Sequence, residues 1–194
     1  MEFSSEKVKV WDAFVRIFHW TVVTLFFCNY LLSDRGMPFA RGNTLHRYAG
    51  YIVIGFVLAR LIWGVIGSKH ARFKNFIPRP AEFMSFMRAM LRGEHPYYEG
   101  HNPAGAVMIV CLLSGLLLTG LTGWLSTLGD AIDGWQATVA SATDFIDWGD
   151  VHEFFANLTM LGAGIHITAV VLVSHLTREN LVHAMLSGYK KKPK

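Results

Sequence analysis

Residues 151–176 read VHEFFANLTMLGAGIHITAVVLVSHL, and this stretch decides the fold. Past Glu153 it carries no carboxylate, lysine or arginine. A helix needs about 20 apolar residues to cross the hydrocarbon core of a bilayer, and this run is long enough. His152 and His166 stand fourteen residues apart within it. At about 3.6 residues per turn that spacing is close to four turns, so both face nearly the same side, roughly 21 Å apart along the axis. A lone His in an apolar helix is more often a satisfied structural residue than a ligand. Ionisable residues inside a span are nonetheless costly and usually functional, so the reading depends on what else lies at the same depths.

Three further blocks match the first in length. They run over about 11–32, 43–67 and 103–125, with 151–176 as the fourth. Asp34, Arg35, Gly36 and Pro38 end the first, and Gly67, Ser68 and Lys69 close the second. Asn102 is placed to cap the third, with Pro103 at its first helical position. Asp150 is placed to cap the fourth. The blocks do not alternate with period two and are too long for barrel strands, so strands are not expected. The expectation is an all-α membrane protein, a bundle of four transmembrane helices in one domain over 1–194.

Composition agrees. The chain is 52% hydrophobic and 16% charged, where soluble domains carry about 25% charged residues; the mean hydropathy is +0.32. Cys28 and Cys111, the only cysteines, sit in apolar blocks, and no Cys-x-x-Cys-His motif for covalent haem attachment is present. They read as small buried apolar residues. The first block lacks a small-residue cleavage site and carries Arg16 and His19, so it reads as a retained helix.

Positive charge sets the orientation. Lys7, Lys9 and Arg16 flank the start; Lys69, Arg72, Lys74, Arg79, Arg88 and Arg92 fill the second loop; Arg178, Lys190, Lys191, Lys192 and Lys194 mark the tail. These segments share one side of a four-span chain, and the other side has only Arg35 and Arg41. Both termini are expected to be cytoplasmic. Residues 79–93 place Phe83, Met84, Phe86, Met87, Met90 and Leu91 at helical spacing, which predicts an amphipathic helix on the inner surface. The external loop 126–150 is acidic, with Asp130, Asp133, Asp144, Asp147 and Asp150. It reads as a solvated loop or as a docking surface for a basic redox partner.

His46 opens the second block and His19 lies within the first. The second block runs outside to inside, so His46 is level with His152. His19 lies about 12 Å into the first block and His166 about 13 Å from the inner end of the fourth, by the helical rise. Two couples, His46/His152 and His19/His166, follow from depth. Zinc usually wants four ligands, often thiolate or carboxylate. A porphyrin supplies four nitrogens and needs only two axial imidazoles, which completes a six-coordinate iron suited to electron transfer. Two bis-histidine haem b groups, held without covalent bonds, are the expected cofactors.

Small residues bear on this. Gly50 and Gly162 lie one turn from His46 and His166, and Ser114, Gly115, Thr119, Gly120 and Gly123 thin the third helix. They would admit a porphyrin edge or serve ordinary helix packing. Arg60, inside the second block near the inner haem level, needs an anion, and a haem propionate is the candidate. Arg16 and Arg47 are weaker candidates that could snorkel instead. His70 and His175 are candidates for a quinone or proton pocket; His95, His101 and His183 are less informative.

The stretches VWDAFVRIFHW (10–20), LHRYAGYIVIGFVLARLIWGVIGSKHARF (45–73), GHNPAGAVMIV (100–110) and VHEFFANLTMLGAGIHITAVVLVSHLTRENLVHAMLSG (151–188) resemble the prokaryotic cytochrome b561 family, allied to the b-type cytochrome subunits of nickel–iron hydrogenases and formate dehydrogenases. The resemblance implies a four-helix membrane core with two b haems. It implies electron relay between a quinone pool (ubiquinone or menaquinone) and a soluble or periplasmic redox partner such as a c-type cytochrome, in the bacterial inner membrane. By position, it implies that His19 and His166 hold the cytoplasmic-side haem and His46 and His152 the periplasmic-side one. The chain has no fifth helix like that of larger hydrogenase-type subunits, which favours a stand-alone carrier. Membrane lipid is an expected partner and nucleic acid is not.

Two other readings compete. A superoxide oxidase would pass electrons to quinone from the external face, where a basic rim would steer the anion; the acidic 126–150 loop argues mildly against it. A His-lined metal transporter or sensor would need a water-filled path and often inverted repeats, and no repeat is evident.

Overall fold

The computed structural model describes residues 3–33, 37–41, 43–94, 96–128, 134–143 and 145–193. Asp34, Arg35, Gly36, His95, Asp130, Asp133, Asp144 and Lys194 therefore lie outside the described residues. The elements in order are β1 (Phe3–Lys9), α1 (Ala13–Leu31), α2 (Thr44–Ile66), a 3₁₀ turn (Phe73–Asn75), α3 (Pro80–Leu91), α4 (Pro103–Ser126), α5 (Gly134–Ala142), α6 (Trp148–Thr177), α7 (Leu181–Ser187) and β2 (Tyr189–Pro193).

Among the described residues, four helices are long and apolar enough to cross a membrane: α1, α2, α4 and α6. The shortest has 19 residues, about 28 Å at 1.5 Å per residue, near the thickness of a hydrocarbon core. Their large side chains point outward as well as inward; Leu58, Ile62, Val65, Leu161, Val171 and Leu172 are all exposed. Water would penalise such a surface, and lipid chains do not. The chain is a multi-pass membrane protein, as its apolar blocks predict.

The helix ends follow local chemistry. Asn102 caps α4, its Oδ1 accepting from the Gly105 N–H at 2.7 Å. Helix α6 starts three residues before the expected 151, at Trp148. The cap is Asp147, whose Oδ1 accepts from the N–H groups of Gly149 and Asp150 at 2.9 and 3.1 Å. Asp150 is thus a first-turn residue, favourable beside the positive helix end, rather than the cap. Within the expected 126–150 loop, residues 134–142 form α5.

The chain divides into two compact units. The first comprises Met1–Trp20, Leu58–Cys111 and Gly162–Lys194; the second comprises Thr21–Val57 and Leu112–Leu161.

In the first unit the chain's ends pair. Strands β1 and β2 are antiparallel, with Lys7 opposite Lys191 and Val8 opposite Lys190. This ribbon is the exception to the absence of strands expected from the sequence. The lysine run is read at period two: Lys191 is exposed, whereas Lys190 is buried. Lys190 pairs with Glu179 at 3.1 Å and donates to the Tyr98 carbonyl at 2.9 Å. Val10, Trp11 and Ala184 form a small core beside the ribbon. Gly188 has φ +88°, and a Cβ there would lie 2.7 Å from the Trp11 carbonyl oxygen, so only glycine suits the turn.

Asp12 organises the same unit. One carboxylate oxygen accepts from the Val15 N–H at 2.9 Å and caps α1. The other accepts from Trp63 Nε1 at 3.0 Å and from the Ser68 hydroxyl. The start of α1 is thereby tied to the end of α2.

In the second unit, helices α4 and α6 meet through small groups. The Thr119 and Thr159 hydroxyls lie 3.3 Å apart, and a Cβ on Gly115 would lie 2.6 Å from Thr159 Oγ1. Tyr30 donates to Asn157 at 2.6 Å, and Arg41 pairs with Glu153 at 2.6 Å.

Candidate haem-binding sites

The four span histidines meet in two couples. In the first unit, His19 on α1 and His166 on α6 have ring centres 6.5 Å apart, with planes inclined by 63°. In the second, His46 on α2 and His152 on α6 have ring centres 6.1 Å apart, with planes inclined by 78°. Metal–imidazole bonds run about 2 Å and a ring nitrogen lies about 1 Å from its centre, so two imidazoles on opposite sides of one metal have centres about 6 Å apart. Both separations match. Among the described residues, no three His, Cys, Asp or Glu side chains converge as a metal cluster. Each site thus offers two imidazole nitrogens, which suits a metal whose other positions a macrocycle fills.

Hydrogen bonds orient the second couple. His152 Nδ1 lies 2.8 Å from the Thr119 carbonyl oxygen, and His46 Nδ1 lies 3.2 Å from that of Phe39. A carbonyl only accepts, so each Nδ1 carries the hydrogen and each Nε2 keeps its lone pair, the tautomer a metal requires. Asn29 holds the start of α2 by donating to the His46 carbonyl at 3.1 Å. In the first couple, His19 Nδ1 is buried without a hydrogen-bond partner.

The glycines divide by role. Those at 115 and 120 admit Thr159 and Ile54, so they serve helix packing. Gly123 admits the His152 ring itself. At Gly50, one turn from His46, an added Cβ would meet nothing within 4 Å, leaving open space on that face.

Arg60 is 3% exposed. Its Nη2 donates to the Ala71 carbonyl at 3.1 Å and its guanidinium lies 5.0 Å from the Phe73 ring centre. Gly64 makes room for that ring. Arg60 Nη1 is buried without a partner, an orphaned donor that an anion such as a propionate would satisfy. Arg16 donates from Nη1 to the Leu186 carbonyl at 2.7 Å, and its Nε is likewise buried and unpaired. Arg47 is exposed.

Of the remaining histidines, His70 pairs with Glu99 at 3.0 Å. His101 is sandwiched between Trp11 and Phe76, at 4.4 and 4.9 Å between ring centres. Burial first, then the positive charge of Arg60 and Lys190, pushes the pKa of the His101 imidazole down to about 3. With Lys69, Asn75, Phe76, Tyr98 and Gly100 the two line a cavity of about 200 Å³. His175 lines a separate open groove with Ser174, Arg178 and Asn180. His101 is not distinguished by its sequence neighbours, because the rings that enclose it, Trp11 and Phe76, come from distant segments.

Four helices long and apolar enough to span a membrane, with imidazoles paired in two couples, are the arrangement expected of a membrane-embedded electron carrier. A profile of the prokaryotic cytochrome b561 family matches residues 10–188. The chain belongs to that family and is a b-type cytochrome, which implies haem b. A protein of Bradyrhizobium diazoefficiens is 26% identical over 93% of this chain and 85% of its own length. One from Rhodobacter capsulatus is 26% identical over 94% and 81%, and one from Cupriavidus necator 25% over 93% and 86%. Each is named "Probable Ni/Fe-hydrogenase B-type cytochrome subunit". No solved structure matches the chain.

Proposed function

We propose that this single-domain chain is a dihaem b-type cytochrome that carries electrons through the bacterial inner membrane between a quinone pool and a redox protein. His19 and His166 would hold one haem b, and His46 and His152 the other. The observation that carries the reading is the pair of imidazole couples, each at the separation one metal needs. When bound, the haem supplies an iron that changes charge by one electron. The protein's part is to hold, orient and insulate. The carbonyls of Thr119 and Phe39 select the tautomer of their imidazoles, and the apolar spans exclude water. Arg60 would face a propionate through its orphaned Nη1, with Arg16 a further candidate; Arg47, being exposed, is better suited to the interface.

Both termini are assigned to the cytoplasmic side, because the lysines and arginines of the ends and of the α2–α4 connection share it. A hydrogenase is a second candidate partner, supported by the names of the relatives above, whose likeness runs over nearly the whole chain. It competes with the periplasmic cytochrome expected of a stand-alone carrier.

The test is a pyridine-haemochrome assay on purified protein with His19→Ala and His152→Ala variants. Two haems per chain are expected, with one lost in each variant. Equal haem content in all three samples would defeat the ligand assignment. Reduction of the purified cytochrome by quinol, by reduced hydrogenase or by a c-type cytochrome then separates the partners.

A further inference from the structure

We infer that Gly123 and the Thr119 carbonyl of α4 are positioning groups for His152, and that they lower the redox potential of the haem held by the His46–His152 couple. The inference rests on the ligation proposed above.

The argument begins with the α4 backbone. Within an α-helix the Thr119 carbonyl already faces the N–H of residue 123 and here also accepts from the Thr122 hydroxyl at 3.2 Å, so a donor from another helix must come in from the side. His152 does so, with Nδ1 at 2.8 Å. A side chain at 123 would block that approach. A Cβ there would lie 2.8 Å from His152 Nδ1 and 2.9 Å from Cε1. The ring that would have to shift is the one paired with His46, at 6.1 Å between centres.

Thr119 is itself held firmly. Its hydroxyl donates to the Gly115 carbonyl at 2.8 Å and meets the Thr159 hydroxyl at 3.3 Å. Helix α6 thus carries both the ligand candidate and, two turns further on, the threonine that fixes the acceptor's helix.

The consequence is electronic. A hydrogen bond from Nδ1–H to an acceptor makes the opposite nitrogen a stronger donor, and second-shell hydrogen bonding is one of the levers on a haem's potential. A stronger donor stabilises the oxidised iron and lowers the potential. In the other couple His19 Nδ1 has no such acceptor.

The experiment is a potentiometric titration of the purified holoprotein followed at the reduced α-band, comparing wild type with Gly123→Ala. His152→Ala identifies which spectral component belongs to this couple. In Gly123→Ala that component is expected to move to higher potential, or to be lost while the other stays at its wild-type potential. Full haem content with both components unshifted would overturn the inference. A measurement on wild type covers the case in which the variant does not fold. In the reduced protein labelled with ¹⁵N-histidine, the Nδ1–H resonance that disappears in His152→Ala should resist deuterium exchange. Rapid exchange there would also overturn it. Failure of the ligation reading looks different, since His152→Ala would then keep both haems.

Discussion

The imidazole centres of His19 and His166 stand 6.5 Å apart, although 147 positions separate the two residues in the chain. Helix α1 brings one and helix α6 the other. Two ligands of one metal act as a unit, so their removals should not add. His19→Ala, His166→Ala and the double variant should each lose the same single haem. The reduced-minus-oxidised spectrum reads this directly; loss of different components from the two single variants would refute the pairing.

Arg60 places a buried positive charge in the same unit as that couple. Replacement by Gln removes the charge while keeping a donor for the Ala71 carbonyl. Without the cation the oxidised, more positive iron is relatively favoured, so the His19–His166 component should titrate at lower potential. The other component serves as the internal reference.

Asp12 caps α1 and accepts from Trp63 and Ser68. Asp12→Ala removes a cap worth about 1 kcal/mol and strands two donors at about 1–3 kcal/mol each. The thermal midpoint in detergent should fall, and Asp12→Asn should recover part of the loss. Haem content measured below the transition should stay at the wild-type level.

His101 adds a pH dependence. Its imidazole is held at about 3 in the fold, against an ordinary value of 6.5. The unfolded chain therefore binds the extra proton first, and stability falls as pH drops from about 6.5 toward 3. Above that window the residue contributes no pH dependence. Thermal midpoints between pH 7.5 and 5 should decline more steeply for wild type than for His101→Gln, and parallel curves would contradict this.

Strands β1 and β2 pair, so both ends of the chain are expected on one side of the membrane. Reporter fusions at either terminus should give the same sidedness, and the cytoplasmic assignment predicts fluorescence without periplasmic phosphatase activity. Opposite readings at the two ends would be incompatible with the ribbon.

The spans were legible because lipid leaves the backbone one solution: an apolar run of about 20 residues must satisfy its own hydrogen bonds as a helix. The couples were legible for a related reason. A rigid helix converts sequence number into depth, so His46 could be matched to His152, and His19 to His166, by counting. What counting could not reach depends on approach between segments far apart in the chain. Lys190 reads as one of a run of tail lysines, yet it is buried against Glu179 because β2 pairs with β1. Gly115, Gly120 and Gly123 of α4 read alike, yet one admits a threonine, one an isoleucine and one the His152 ring.

By itself, then, the sequence determined the four spanning helices, their order and the relative levels of His19, His46, His152 and His166, since these depend on hydropathy and helical rise. Only the tertiary structure decided which carbonyl each imidazole meets, which arginine is buried with an unpaired nitrogen, and which glycine makes room for His152. Those outcomes turn on contacts of about 3 Å between distant residues, and no local rule of sequence carries that distance.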